Sequence, residues 1–275
     1  MSKSTCAAVG CDATRHCKSA CAHKNAKRMI NSRILKWGAV LCGLAAIIAG
    51  ALTIDFVTRS QIEGARRGDC VMHLKQMSLA LLNYHDKYGS FPPAVVKDSN
   101  GKPAHSWRVL ILPFLGGEDL YQKYDFSEPW NGPNNSRLQS ELPPHSSSRY
   151  QCPSSGVRGT MTNYVAIIGP STIWPENHPG TIMDDDMKEA QPEVLVVEVP
   201  GYEVNWMEPK DLSIDAAVSL LVEAHGDRGP IHPRGVHFAD TAQNVRLFPK
   251  TTDRLLLKKL LSRTYRDAGV TRSSP

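Results

Sequence analysis

Trp37 to Val57 reads WGAVLCGLAAIIAGALTIDFV, twenty-one residues whose one charge, Asp55, stands close to the far end. At about 1.5 Å per residue, a helix of this length just crosses the ~30 Å hydrocarbon core of a bilayer. The run is apolar on every side, with no stripe, which suits lipid better than the one-sided environment of a soluble protein. Two other readings fit an apolar segment near an N-terminus. A cleavable signal peptide also begins with a basic region, but here 36 residues precede the run, and the run is long for such a signal. A buried core helix would tolerate the Gly and Ala content. The expectation carried forward is an uncleaved membrane anchor.

Charge sets the expected orientation, because positive flanks resist translocation. Lys3, Arg15, Lys18, Lys24, Lys27, Arg28, Arg33 and Lys36 precede the run, with Asp12 as the acid among them. Beyond it, Arg59, Arg66 and Arg67 are diluted by Glu63 and Asp69. The sequence therefore predicts a cytoplasmic tail over 1–36, one transmembrane helix over 37–58, an extracytoplasmic domain over 59–266 and a disordered C-terminus over 267–275. The tail is expected to be unstructured.

The chain has 275 residues, 41% of them apolar, so the portion beyond the anchor is of ordinary size for a single core. Nineteen Pro and twenty Gly imply many turns. The net charge of +5 is mild and sits largely in the tail and in Lys258, Lys259, Arg263 and Arg266. That argues for anionic lipid near the tail and against nucleic acid as a partner. No G-x-S-x-G elbow, P-loop, H-E-x-x-H or G-x-G-x-x-G occurs, so the expectation is a protein that is not an enzyme.

The seven cysteines divide by expected compartment. Cys6, Cys11, Cys17 and Cys21 fall in the tail, Cys42 in the anchor, and Cys70 and Cys152 outside, where oxidation is expected. A Cys70–Cys152 disulfide would close a loop of about 80 residues and contribute on the order of 4 kcal/mol in the chain-entropy account. The tail spacing C-x4-C-x5-C-x3-C offers enough donors for zinc but matches no standard knuckle, so reduced, unpaired thiols stand beside a zinc site as the two readings. No other cofactor is indicated. Asp184, Asp185 and Asp186 supply hard oxygen donors for calcium, against the plainer reading of a solvated loop. His225, His232, His237 and Asp240 fall close together, and imidazoles with a carboxylate can build a zinc or iron site, against a structural role.

Downstream of Ile62 the pattern turns amphipathic. Leu74, Met77, Leu81, Tyr84 and Tyr88 recur at steps of three and four, opposite Lys75, Gln76, Asn83 and Lys87. Gly89 supplies a C-cap and Pro92-Pro93 prevent continuation. Asn163–Ile168, Val194–Val199, Gly235–Ala239 and Asn244–Phe248 read as strands of an antiparallel sheet. Ser213 is expected to cap a helix through Ala224, and Thr252 a last helix over Asp253 to Arg266.

CVMHLKQMSLALLNYHDKYGSFPPA at Cys70 to Ala94, HSWRVLILPFL at His105 to Leu115 and LYQKYDFSEPWNGPNN at Leu120 to Asn135 carry a resemblance. So do YQCPSS from Tyr150, NYVAIIGP from Asn163, VLVVEV from Val194 and WMEPKDL from Trp206. Together, in this order, they resemble a large bacterial family of pilin-like proteins that carry a domain of unknown function, often labelled pseudopilin G-like or major-pilin-like. The likeness runs from about Ala65 to Leu261. It implies an α+β fold: a long N-terminal helix, anchor first and amphipathic second, packed on an antiparallel sheet with long loops and a C-terminal helix. Such proteins begin with a short basic leader and a cleavage motif of the Gly-Phe-Thr-Leu-Val-Glu kind, and nothing of that form precedes Val40. Glu63, outside the apolar run, cannot replace the membrane-embedded glutamate of that motif. His232 and Asp240 match the family's closing His and Asp-Gly hairpin, with Thr241 in place of the glycine. The resemblance implies a non-enzymatic, single-pass envelope protein whose partners are the lipid bilayer and either other envelope proteins or copies of itself. The alternative is a membrane-tethered sensor domain coupled to a metal- or redox-responsive tail.

Overall fold

The structure is a computed structural model that describes residues 15–141, 148–176, 192–225, 232 and 234–262. It divides into two compact units, Met1–Gln61 and Ile62–Pro275.

One helix, α1 (Arg15–Tyr88), supplies all the described structure of the first unit and opens the second. Residues 15–36, expected to be unstructured, are helical from Arg15. The composition permits this, since no Gly or Pro stands between Cys11 and Trp37 to interrupt a helix. Along the apolar run the large side chains are exposed in every direction: Leu35 is 78% accessible, Ile47 70% and Phe56 74%. The reading as a buried core helix is therefore not what the structure contains. The run is long and apolar enough to cross a membrane, by length and composition.

In the second unit α1 becomes one-sided. Cys70, Leu74, Met77, Ala80 and Leu81 are fully buried, while Lys75 and Asn83 are exposed. Tyr84 packs partly buried against the core, and Tyr88, expected to join it, is 53% exposed and rests against the Tyr84 ring instead. Gly89 ends the helix with φ 79°, its N–H donating to the His85 carbonyl at 2.7 Å.

A hairpin, β1 (Val95–Lys97) and β2 (Pro103–Ser106), follows and leads into short helices α2 (Trp107–Leu110), α3 (Glu118–Lys123) and α4 (Asn135–Leu138). The expected strand at Asn163–Ile168 divides into β4 (Tyr164–Val165) and β5 (Ile167–Ile168), after β3 (Met161–Thr162). Next come β6 (Val194–Glu198), β7 (Val204–Asn205), β8 (Leu212–Ser213), α5 (Ile214–His225), β9 (Gly235–Asp240), β10 (Val245–Pro249) and α6 (Arg254–Leu260). The main sheet is antiparallel with order β10-β9-β6-β4, and the described residues also form three two-stranded pairings, one of them the parallel β5–β8.

Alternation along the strands feeds two cores. Tyr164, Leu195, Val196 and Ala239 share a cluster with the inner face of α1. Val165, Val197, Val236 and Phe238 share another with Ala217, Val218 and Leu221 of α5 and Leu257 and Leu261 of α6. The sheet thus lies between α1 and the α5–α6 pair, an α+β architecture with a long N-terminal helix. Ser213 caps α5 through Ala216 N–H at 3.3 Å. α6 is capped by Asp253, not Thr252; the carboxylate accepts from Leu256 N–H at 2.9 Å. An ionised acceptor at a helix N-terminus also meets the helix dipole favourably, which the Thr hydroxyl would not do.

A buried ion pair ties α2 and the loop before β8 to the sheet. Arg108 and Asp211 are both fully buried and 2.6 Å apart. Arg108 also donates to the Tyr164 carbonyl at 2.9 Å, while Asp211 accepts from Ala166 N–H at 2.8 Å and Trp107 Nε1 at 3.1 Å. Removing one partner leaves an uncompensated charge out of water. Asp211→Ala is expected to cost about 3–5 kcal/mol, read as a lowered denaturant midpoint of the detergent-solubilised chain; a shift corresponding to under 1 kcal/mol would contradict this role.

Candidate functional site

Segments far apart in sequence converge on one buried cluster in the second unit. α1 contributes Glu63 and Cys70, two turns apart on the helix. The segment after the 3-10 turn Ser148–Tyr150 contributes Cys152 and Ser154. Strand β6 contributes Glu198, the turn before β9 contributes His232, and β9 itself His237.

Cys70 and Cys152 are joined by a disulfide and are both fully buried. His73, one turn further along α1, reinforces the junction: its Nδ1 lies 3.0 Å from the Gln151 carbonyl. Beside the disulfide, Cys152 Sγ is 3.5 Å from His232 Nε2. The same Nε2 lies 3.3 Å from Glu198 Oε1, and Nδ1 on the other side of the ring lies 3.2 Å from Glu63 Oε1. Glu63 Oε1 in turn accepts from Ser154 Oγ at 2.9 Å. Glu198 Oε1 also receives His237 N–H at 3.2 Å and faces His237 Nδ1 at 3.3 Å. The two imidazoles meet edge to face, 4.7 Å apart.

Backbone geometry holds His232 there. Gly235, whose N–H donates to the His232 carbonyl at 3.2 Å, takes φ 148°, and a Cβ on it would meet the Phe248 carbonyl oxygen at 2.0 Å. Only glycine fits this approach of the turn to β10.

Electrostatics follow from the contacts. Burial works to raise the Glu198 carboxyl, but the hydrogen bonds and charge of His232 and His237 outweigh it and hold it below its ordinary value. Burial likewise works to lower His232, and Glu198 and then Glu63 outweigh it, holding the imidazole above its ordinary value. The His232 ring thus stands between two carboxyl groups, with a sulfur at its edge.

Of the residues singled out in the sequence, His232 and His237 come together and Asp240 does not join them. Asp240 instead accepts from Ala242 and Asn244 N–H groups in the β9–β10 turn and pairs with Arg246 at 2.9 Å. That turn closes without the family's glycine because Gln243 takes the left-handed conformation, φ 60°. The His225 side chain lies outside the described residues, as do Cys6, Cys11, the side chains of Cys17 and Cys21, and Asp184, Asp185 and Asp186. The zinc and calcium readings of those residues thus fall outside what the structure describes. Cys42 is exposed on α1. Glu198 was missed. Its signal was a lone carboxylate inside VLVVEV, which a buried strand admits only with partners.

The family model described as "Protein of unknown function (DUF1559)" matches residues 60–198, just over half of the chain, and the chain belongs to that family of pilin-like and pseudopilin-like proteins. The match takes in Glu63, Cys70, Cys152 and Glu198 and stops short of His232, whereas the resemblance in the sequence extends to Leu261. Comparison with curated proteins and with solved structures gave no match.

A raised His232 stabilises the fold below its ordinary value of 6.5 and loses that contribution as pH rises through the higher folded value. A lowered Glu198 stabilises above its ordinary value of 4.5 and loses that contribution as pH falls through the lower folded value. The stability difference between the native chain and His232→Gln is therefore expected to be largest from about pH 4.5 to 6.5 and to shrink on both sides. Thermal unfolding across pH checks this, and a difference that grows toward pH 9 would contradict it.

Proposed function

We propose that this protein is a single-pass membrane protein that displays its α+β unit outside the cytoplasm, where it acts by contact with other envelope proteins or with further copies of itself and not by catalysis. The observation that carries the reading is the change along α1, from a run exposed and apolar on all sides to a helix with one buried face. A soluble protein does not leave so long a stretch of Leu, Ile, Phe and Trp in water. Membership of a pilin-like family fits the same arrangement.

Orientation draws on two independent supports. The excess of Lys and Arg before Trp37 favours retention of that end in the cytoplasm. The Cys70–Cys152 disulfide in the second unit favours an oxidising compartment for the rest. Glu63 is engaged by His232 and Ser154 and so is not free to pair with a neighbour's N-terminus as pilin assembly requires. Contacts would then be made by the external unit.

Cross-linking on intact cells with a membrane-impermeant, amine-reactive reagent tests this reading. The expected result is a discrete set of covalent adducts of the full chain, either a ladder of its own multiples or defined heteromers, recovered in the membrane fraction. A chain that stays monomeric under cross-linking and is released from membranes by alkaline carbonate would overturn it.

A further inference from the structure

Cys70, Cys152, His232 and Glu198 each offer one donor atom, and all of these atoms lie within 4.8 Å of one another. We propose that when the Cys70–Cys152 disulfide is reduced, these four side chains form a closed Zn²⁺ site, so that the cluster alternates between a covalent and a metal cross-link.

Two thiolates, one imidazole and one carboxylate match both the number and the kind of donors that zinc takes in a closed tetrahedral site. Bond lengths of about 2.0–2.3 Å put the donors of such a site roughly 3.3–3.8 Å apart. Two of the edges are in place: Cys152 Sγ to His232 Nε2 at 3.5 Å, and His232 Nε2 to Glu198 Oε1 at 3.3 Å. The remaining donors lie within 4.8 Å of one another, and breaking the bond between the sulfurs lets these two move apart to their places in the site.

Two further observations point to a cation. Glu198 Oε2 is buried with no hydrogen-bond partner. A carboxylate oxygen stripped of water and given no donor is costly, and a cation bound at the same carboxylate would offset that cost. His232 also has the outer-shell arrangement of a metal-binding imidazole, with Nε2 toward the other donors and Nδ1 held 3.2 Å from Glu63, which Ser154 fixes in turn. Histidines that ligate metals almost always donate the far ring N–H to a carboxylate, a backbone carbonyl or water, which fixes the ring.

The chemistry balances with a dithiol as reductant. The dithiol gives two electrons and two protons to the Cys70–Cys152 bond, becoming a disulfide itself and leaving two thiols. Zinc then displaces both thiol protons and the proton on His232 Nε2, and all three pass to solvent. Both sulfurs are fully buried, so the exchange requires a local opening of the segment carrying Cys152.

The test uses the full-length chain in detergent, with Cys6, Cys11, Cys17, Cys21 and Cys42 changed to Ser so that no other thiol competes. Protein is reduced with dithiothreitol, freed of it under argon and given zinc chloride, beside an oxidised sample treated alike. The expected result is one zinc per chain in the reduced form and none in the oxidised form, with a thiolate-to-metal charge-transfer band when cobalt replaces zinc. Cys70→Ser and Cys152→Ser are expected to abolish this binding, and Glu63→Gln to weaken it roughly 10–100-fold. Equal zinc in both redox forms, no zinc in a reduced chain that keeps its circular dichroism, or a reduced chain that unfolds and is not restored by zinc would each overturn the proposal. None of these results bears on whether the protein spans a membrane.

Discussion

One helix has to satisfy two surroundings, and the organisation of this protein follows from how α1 does so. Over Trp37–Val57 the side chains are apolar without regard to direction, and a uniform apolar surface is stable only where water is absent on every side. From Cys70 onward the same helix buries one face and leaves the other wet. No loop or break separates these regimes, since α1 is continuous through Tyr88. The inward face that begins at Cys70 is also where the sheet's first core is built, so a change of side chains at Leu74, Met77 or Leu81 acts on sheet packing directly.

In the second unit, strand β4 stands next to two buried charged groups, Arg108 and Glu198. The Tyr164 carbonyl accepts from Arg108, while in the ladder Tyr164 pairs with Glu198. Buried ions are weak contributors to stability compared with apolar substitutes, but one that loses its partner is strongly destabilising. Each pair here therefore acts as a check on assembly. Arg108 and Asp211 can be satisfied together only when α2 and the loop segment before β8 meet β4 and the Ala166 junction to β5 correctly. Glu198 Oε1 has its partners only when His232 and His237 both arrive from the turn and strand that follow α5.

Much of the fold was legible because it obeys local rules. The strands at Val194, Gly235 and Val245, the α5 helix after Ser213 and the Gly89 stop follow from hydrophobic period and capping. The helical residues from Arg15 were not read as helix, because charge and cysteine content suggested a tail, whereas the continuity of the chain without Gly or Pro decided otherwise. The candidate site was legible in pieces. His232 and His237 were picked out by type and proximity, but their partner is 34 residues away from His232 in sequence, on β6, and Asp240 looked as suitable as Glu198 until the β9–β10 turn claimed it. Long-range convergence of α1, the Cys152 segment, β6 and β9 is set by sheet order, which no spacing rule in the chain encodes.

The claim on which the rest turns is that the apolar part of α1 lies across a bilayer with the disulfide-bearing unit on the outer side. Thiol labelling with a membrane-impermeant maleimide measures this most directly, using a chain that keeps Cys70 and Cys152, lacks the other five cysteines and carries one reporter, Ser4→Cys or Asn100→Cys. The account predicts that residue 100, on an exposed turn, is labelled in intact cells or spheroplasts, and that residue 4 is labelled only after the membrane is permeabilised. Labelling of residue 4 in sealed cells, or protection of residue 100 until lysis, would contradict it.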